Sequence, residues 1–356
     1  AALCIERFRA GAKPLALVSM DNCSHNGEKL QNAVMEIVEA WQKNGRIYAE
    51  EAAYFTTGIT FPWSMIDKIT PRPNESVEVQ LTTDGVEDVK PFVTTKHTYI
   101  APFVNAEKPQ YLVIEDLFPG GRPPLEKAGI IFTNRDTVNR VEQMKVGTCL
   151  NPLHTCLAVY GCLLGYTSIA AEMKDEDLVR FITEMSYKES LPFVVNPGII
   201  DPEQFLNEVL TVRFPNPFMP DTPQRIATDT SQKLCVRFGE TIKAYMASPE
   251  HKASELKLIP LVLAGWLRYL IGINDEGKQF DCSPDPLLDS LQSRLSDARL
   301  GAENNAEMLR PILSDASIFA VDLYEAGLAD KVAGYWQELM AGPGAVRATV
   351  KKYVDT

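Results

Sequence analysis

Four side chains capable of chemistry fall within thirteen residues, Glu142 to His154: Glu142 itself, Lys145, Asn151 and His154. An ammonium, an amide and an imidazole at this spacing could meet at the mouth of a cleft. A lysine acts there as a general base only when desolvation or neighbouring positive charge draws its pKa toward working pH. Asn151 and His154 could each hydrogen-bond a substrate oxygen. The same residues admit a structural reading, with Lys145 a solvated cation at a helix C-terminus, Asn151 a cap and His154 a satisfied first-turn residue. Spacing alone does not separate the two.

The elements that must position these groups follow from local pattern. Val138, Val141 and Met144 recur every three residues, which predicts a helix from Arg135 ending near Lys145, with Gly147 and Thr148 as its stop. Pro152 disfavours helical backbone at Asn151 and suits a first turn, so Asn151 is expected as N-cap and Pro152 as N1 of a second helix. The run from Leu153 to Leu164 is apolar enough for that helix to be nearly buried.

Composition bounds the function. A chain of 356 residues, 45% hydrophobic and 23% charged, can form two cores. A net charge of -12 argues against nucleic acid and anionic membranes as partners, and any anionic substrate needs a local basic pocket. The seven cysteines form no Cys-x-x-Cys pair and read as reduced, buried thiols of a cytoplasmic protein. The four histidines, at 25, 97, 154 and 251, lack zinc spacing, so chemistry without a protein-bound metal is expected. No apolar stretch approaches the roughly 20 residues of a membrane span, and no signal peptide is expected.

In chain order, Ala2 to Ala10 reads as a helix stopped by Gly11, and Pro14 to Met20 as a short buried strand running into the polar turn Asp21 to Gly27. Polar residues past a strand's carboxyl end in an α/β sheet are placed to meet ligand, or form an ordinary Asp/Asn turn. Glu28 to Asn44 follows with helical spacing at Leu30, Val34, Ile37, Val38 and Trp41, closed by Gly45. Residues 60–73 read as an irregular apolar segment around Asp67, a tuned carboxylate or a partner of Lys68. Residues 74–104 read as connections with short edge strands, and 110–115 and 128–133 as strands. After residue 134 the pattern turns helical, with candidates at 135–147, 151–171, 175–187, 201–212, 221–247, 256–272, 284–298, 304–312, 318–326 and 328–340. In the proline-rich stretch 213–233, Arg213, Arg225 and Lys233 could hold a substrate or cofactor anion, or pair with Asp221 and Asp229 on the surface.

Taken in series, Ser19 to Gly27, Met65 to Pro71, Ile114-Glu-Asp with Gly121-Arg-Pro-Pro, Lys145 with Asn151-x-x-His154, Arg213 to Pro217 with Asp221, Arg225, Ser231 and Lys233, and Ala264 to Tyr269 resemble the polyol-specific long-chain dehydrogenases. That family includes mannitol dehydrogenases and fructuronate and tagaturonate reductases. The resemblance implies α/β followed by mostly α: part of a Rossmann-type nucleotide-binding domain over 1–133 and a helical substrate and catalytic domain over 134–356. It implies metal-independent hydride transfer between NAD or NADP and a small-molecule polyol or sugar acid. Lys145 looks like the general base, Asn22 and Asn151 like amides at the alkoxide-like oxygen, His154 like a substrate-orienting group and Glu142 like a proton relay. Asp67, Arg225 and Lys233 would line the substrate site, with Asn22 and Asp67 also on the cofactor side. A non-catalytic sugar-binding or scaffold protein derived from the family is the alternative.

Two departures shape the expectations. The family places four residues between the lysine and the asparagine, whereas five separate Lys145 from Asn151, so a helix bulge should absorb the extra residue. No Gly-x-Gly-x-x-Gly occurs in the chain, so a pyrophosphate cradle is missing and a fragment of a longer enzyme is expected.

Overall fold

The computed structural model describes residues 1–68, 73–104, 106, 111–219 and 221–354. Helix α1 (Ala2–Arg9) stops at Gly11, whose φ of 118° suits only glycine, as predicted. The strand expected over Pro14–Met20 reduces to half-buried β1 (Leu15–Ala16). After it come α2 (Asn26–Lys43), α3 (Ala49–Thr57) and β2 (Ile59–Thr60). The length of β1 is limited by its pairing, because β2 matches it in parallel over two residues only. On α2 Val34 and Val38 are buried, but Ile37, about 60° round the helix from Val34, is 43% exposed. Gly27 begins that helix pressed on residues 61–63. A Cβ there would lie 2.6 Å from the Trp63 ring and 2.7 Å from the Pro62 carbonyl, so only glycine fits.

Within the segment expected to be irregular, β3 (Ser64–Asp67) is a regular strand with every residue buried. Covered on both faces, it shows no alternation in sequence. Ile69, Thr70, Pro71 and Arg72 of that segment lie outside the described residues. Helix α4 (Glu75–Thr83), capped by the Asn74 side chain, replaces an expected connection. It buries no residue and so carries no apolar stripe to betray it. The short strands β4 (Phe92–Val93) and β5 (Tyr99–Ile100) pair antiparallel. Strand β6 (Tyr111–Glu115) pairs antiparallel with β3, setting Ser64 opposite Ile114 and Asp67 opposite Tyr111. It also pairs in parallel with β7 (Ile131–Thr133).

From α5 (Arg135–Met144) onward the described chain is helical, as expected. The next elements are α6 (Asn151–Leu164), α7 (Ile169–Glu172), α8 (Glu176–Glu184), α9 (Pro202–Glu208), α10 (Pro223–Ile226), α11 (Glu240–Ala247) and α12 (Leu258–Tyr269). They are followed by α13 (Leu288–Arg294), α14 (Arg310–Leu313), α15 (Ala316–Phe319), α16 (Ala329–Leu339) and α17 (Ala345–Val354). The helix expected over 151–171 breaks at left-handed Gly165, φ 82°. That over 221–247 is divided into α10, a 3-10 turn at Thr230–Gln232, a π turn at Cys235–Gly239 and α11. Further π turns occupy Lys145–Cys149, Met185–Ser190 and Val209–Arg213. The helix expected over 318–326 is only the single turn α15, and α17 was not foreseen.

Two compact units result. Unit 1 comprises Ala1–Ile69, Lys108–Gln143 and Val195–Ile200, and unit 2 comprises Thr70–Glu107, Met144–Val194 and Asp201–Thr356. In unit 1 the core includes Ile5, Val34, Val38, Tyr54, Phe55, Ile59 and Phe61. In unit 2, α12 is buried along its whole length between α6 and α16. Tyr160 of α6 donates its hydroxyl proton to the Leu261 carbonyl at 2.7 Å, which ties α6 to α12.

Candidate active site

Lys145 opens the π turn that joins α5 to α6 and is 5% exposed, not solvated. This turn is the expected bulge: the Leu150 amide donates to the Lys145 carbonyl at 3.0 Å, an i to i−5 bond that accommodates one extra residue. Gly147 is therefore inside a turn and not a helix stop. The π turn ends at Cys149 and the cap falls on Leu150, at φ −127° and ψ −62°, so that Asn151 becomes the first helical residue, with no capping hydrogen bond from the Leu150 side chain. The expectation of Asn151 as N-cap is corrected accordingly. Its carbonyl accepts from Thr155 Oγ1 at 2.9 Å.

One turn on, the His154 ring packs against Phe214 with centroids 5.0 Å apart. Its Nε2 lies 3.6 Å from Asp221 Oδ2, too far for a hydrogen bond, and is buried with no hydrogen-bond partner. Burial chiefly, helped by the positive charges of Arg237, Arg225 and Arg213 and opposed by Asp221, pulls the imidazole pKa down to about 4. His154 is thus neutral at neutral pH, with one ring nitrogen a donor and the other an acceptor. His154 is therefore not the satisfied first-turn residue of the structural reading.

The cations around this ring come from the proline-rich stretch and the turn after it. Arg225, on α10, is ion-paired with Asp221, so this part of the surface alternative holds. Lys233 donates to the Thr228 carbonyl, and burial followed by Arg237 lowers its pKa. Ser231 donates through both Oγ and backbone N to the Asp285 carboxylate, which anchors the turn that carries Lys233. One contributor, Arg237, escaped the sequence reading, and another, Phe214, entered it only inside the motif Arg213 to Pro217. Phe214 gave its only signal as an aromatic beside Arg213, and Arg237 lay hidden inside one apparently continuous helix.

Asn22, Asp67 and Glu142 belong to unit 1, whereas Lys145, Asn151, His154, Arg225 and Lys233 belong to unit 2. Asn22 is exposed in the loop after β1. Ser24 of that loop donates to Glu142 on α5, and His25, in the left-handed region at φ 54°, stacks on Trp63 at 4.3 Å and reaches Asn139 at 3.2 Å. Buried Asn26, not singled out in sequence, donates to the Asp21 carbonyl at 2.9 Å and to Ser64 Oγ at 2.8 Å, fixing the loop's base to β3. Asp67, 2% exposed, ends β3. No described helix is long and apolar enough to cross a membrane.

Comparison with known proteins gives this arrangement a context. Over 99% of its length the chain is 53% identical to the D-mannonate oxidoreductase of Thermotoga maritima, covering 66% of that protein. It is 30% identical to the mannitol 2-dehydrogenase of Phaeosphaeria nodorum, over 90% of this chain and 52% of the relative. A D-sorbitol dehydrogenase solved in substrate-free form superposes with a TM-score of 0.74 at 25% identity, over 98% of this chain and 64% of that one. The Pseudomonas fluorescens mannitol 2-dehydrogenase, solved with NAD and D-mannitol, shares the fold with a TM-score of 0.70 at 24% identity, over 99% and 64%. The chain therefore spans about two thirds or less of the length of these relatives. Residues 2–127 match the mannitol dehydrogenase Rossmann domain and residues 137–340 the mannitol dehydrogenase C-terminal domain, so the chain belongs to the mannitol dehydrogenase family.

Proposed function

We propose that this chain serves a nicotinamide-dependent oxidoreductase that interconverts a sugar alcohol or sugar acid with its keto form, a buried lysine rather than a metal handling the alcohol proton. The observation that carries this reading is the orphaned Nε2 of neutral His154, a buried polar atom that a substrate hydroxyl would satisfy. Lys145 takes the hydroxyl proton as general base. Asn151, whose side chain is not spent on a cap, donates to the developing alkoxide. Arg225 and Lys233 line the substrate side. In the same proposal Glu142 exchanges protons with water, Asn22 supplies a second amide and Asp67 lines both substrate and cofactor, roles supported by the motifs in which they occur. Relatives named for mannitol and mannonate support the substrate class.

NAD or NADP supplies the oxidising power by accepting hydride. The chain's own residues fit that group only in part: Asn22 lies exposed beyond β1, and no Gly-x-Gly-x-x-Gly cradle for a pyrophosphate occurs among these 356 residues. The test is nicotinamide absorbance in the full-length protein with NAD and then NADP against mannitol, arabinitol, mannonate and altronate. Turnover of one of them is expected, and Lys145→Ala should lower kcat by roughly 10²–10⁴-fold with an unchanged circular dichroism spectrum. Undiminished turnover in that variant would remove the base.

A further inference from the structure

The cations near His154 are not equivalent. Arg225 is neutralised by Asp221, and Lys233 is held by the Thr228 carbonyl and offset by Asp229 and Asp285. Arg237 makes one hydrogen bond, from Nη1 to Thr155 Oγ1, and among the described residues no carboxylate lies within ion-pair distance of it. It is half-buried, and burial alone lowers its pKa to about 10, so it stays charged at neutral pH. A desolvated guanidinium without a counter-charge is costly, and its flat fork of donors matches a carboxylate in two parallel hydrogen bonds.

The backbone that presents Arg237 is firmly held. Its π turn, Cys235–Gly239, packs against the π turn that begins with Lys145, where a Cβ on Gly147 would stand 3.7 Å from the Val236 carbonyl. On its other side Gly239 is pressed on the Phe319 carbonyl so closely that no Cβ fits. Through Thr155, which donates to the Asn151 carbonyl, Arg237 is one residue removed from the amide assigned to the substrate oxygen. Its positive charge is also felt at the His154 ring.

We propose that Arg237 binds the carboxylate of an acidic substrate and is the residue that sets this site's preference for a sugar acid over a neutral polyol. This rests on the reading of Lys145, Asn151 and His154 as the substrate site. It also answers a difficulty posed by composition: a chain of net charge -12 admits an anion only where an uncompensated cation waits for it.

The experiment compares mannonate with mannitol in the wild type, Arg237→Met, Arg237→Lys and Thr155→Val, by steady-state kinetics and by calorimetric titration. The expected results are preference for mannonate and a roughly 10–100-fold rise in its KM and Kd in Arg237→Met, as for loss of a charge-assisted hydrogen-bonded pair. Partial recovery is expected in Arg237→Lys. Mannitol and nicotinamide constants should stay within about twofold, and Thr155→Val, which keeps the cation, should cost mannonate no more than a few-fold. Equal losses for mannonate and mannitol would overturn the proposal in favour of a positioning role through Thr155, and a rise in the nicotinamide KM alone would overturn it in favour of a cofactor phosphate. If nothing turns over, the reaction assigned above fails by itself. Arg237-dependent mannonate binding in the calorimeter would then still uphold the carboxylate site, and absence of mannonate binding would overturn it.

Discussion

Arg268 and Arg237 are the same side chain under the same pressure, met in opposite ways. Burial draws both guanidinium groups down to a pKa of about 10. Arg268, in the core on α12, donates to the carbonyls of Leu339 at 3.2 Å, Ile273 at 2.6 Å and Asn274 at 3.3 Å. Arg237, beside the first turn of α6, has a single threonine hydroxyl. The core region spends its buried polar groups on holding the chain; the candidate site keeps some of its own in reserve. Glu189 makes the same point for carboxylates, since it accepts from the amides of Lys257 and Leu258 at 2.7 Å and of Ile259 at 2.8 Å, satisfying the start of α12.

The sharpest way to break this comparison is through stability. Glu189→Ala should cost the most, roughly 3–5 kcal/mol, because it strands three buried amide donors together at the start of α12. Arg268→Met should follow at roughly 2–4 kcal/mol, because it orphans the carbonyls of Leu339 and Ile273, while that of Asn274 keeps the Gly277 amide. Arg237→Met should cost no more than about 1 kcal/mol, the worth of one hydrogen bond. Urea denaturation of the three variants measures all of this. If Arg237→Met proved as damaging as Arg268→Met, Arg237 would be a core residue and the contrast would collapse.

Glu172 sharpens the comparison because it is a buried carboxyl with neither solution. It is fully buried on α7 with no hydrogen-bond partner at either oxygen, so close against Gly161 of α6 that a Cβ there would not fit. Burial first, then the negative charge of Asp175, raises its pKa from 4.5 to about 9. The folded protein therefore keeps a proton that the unfolded chain gives up above pH 4.5, and the associated stability is lost as pH rises through about 9. The slope is at most about 1.4 kcal/mol per pH unit. Glu172→Gln, permanently neutral, should abolish that slope between pH 5 and pH 9 in a urea series. A slope that survives would assign it to another group.

The contrast also explains what the sequence could disclose. The turn from α/β to helix after residue 134, the strand before Asp116 and the apolar helix α6 were legible because each carries a recurring or unbroken run of apolar residues that the fold buries. The π turn at Lys145 was legible only as an arithmetic excess, one residue too many between Lys145 and Asn151. The turn at Cys235–Gly239 left no such trace, so Arg237 went unremarked inside the helix expected over 221–247. Helix α4 was unreadable for the opposite reason, having no buried residue. Asn151 was misplaced by one position because Pro152 signals a helix start whether the preceding chain is extended or already coiled.

The smallest effect tests the site most directly. Burial is the main reason that His154 is held near 4, and only the remainder comes from charges: Arg237, Arg225 and Arg213 push its pKa down while Asp221 pushes it up. Arg237→Met should therefore raise the imidazole pKa modestly, whereas Asp221→Asn should lower it further. Histidine nitrogen shifts followed by NMR from pH 4 to pH 8 can report this, since only four histidines compete for assignment. Linkage gives the same answer with a fixed sign. An unfolded His154 takes up its proton near pH 6.5 and the folded one only near 4, so stability is lost as pH falls between those values, over a narrower range in Arg237→Met and a wider one in Asp221→Asn. Were neither substitution to move the ring, burial alone would govern it. Arg237 would then be too well screened from the first turn of α6 to hold a substrate anion beside it.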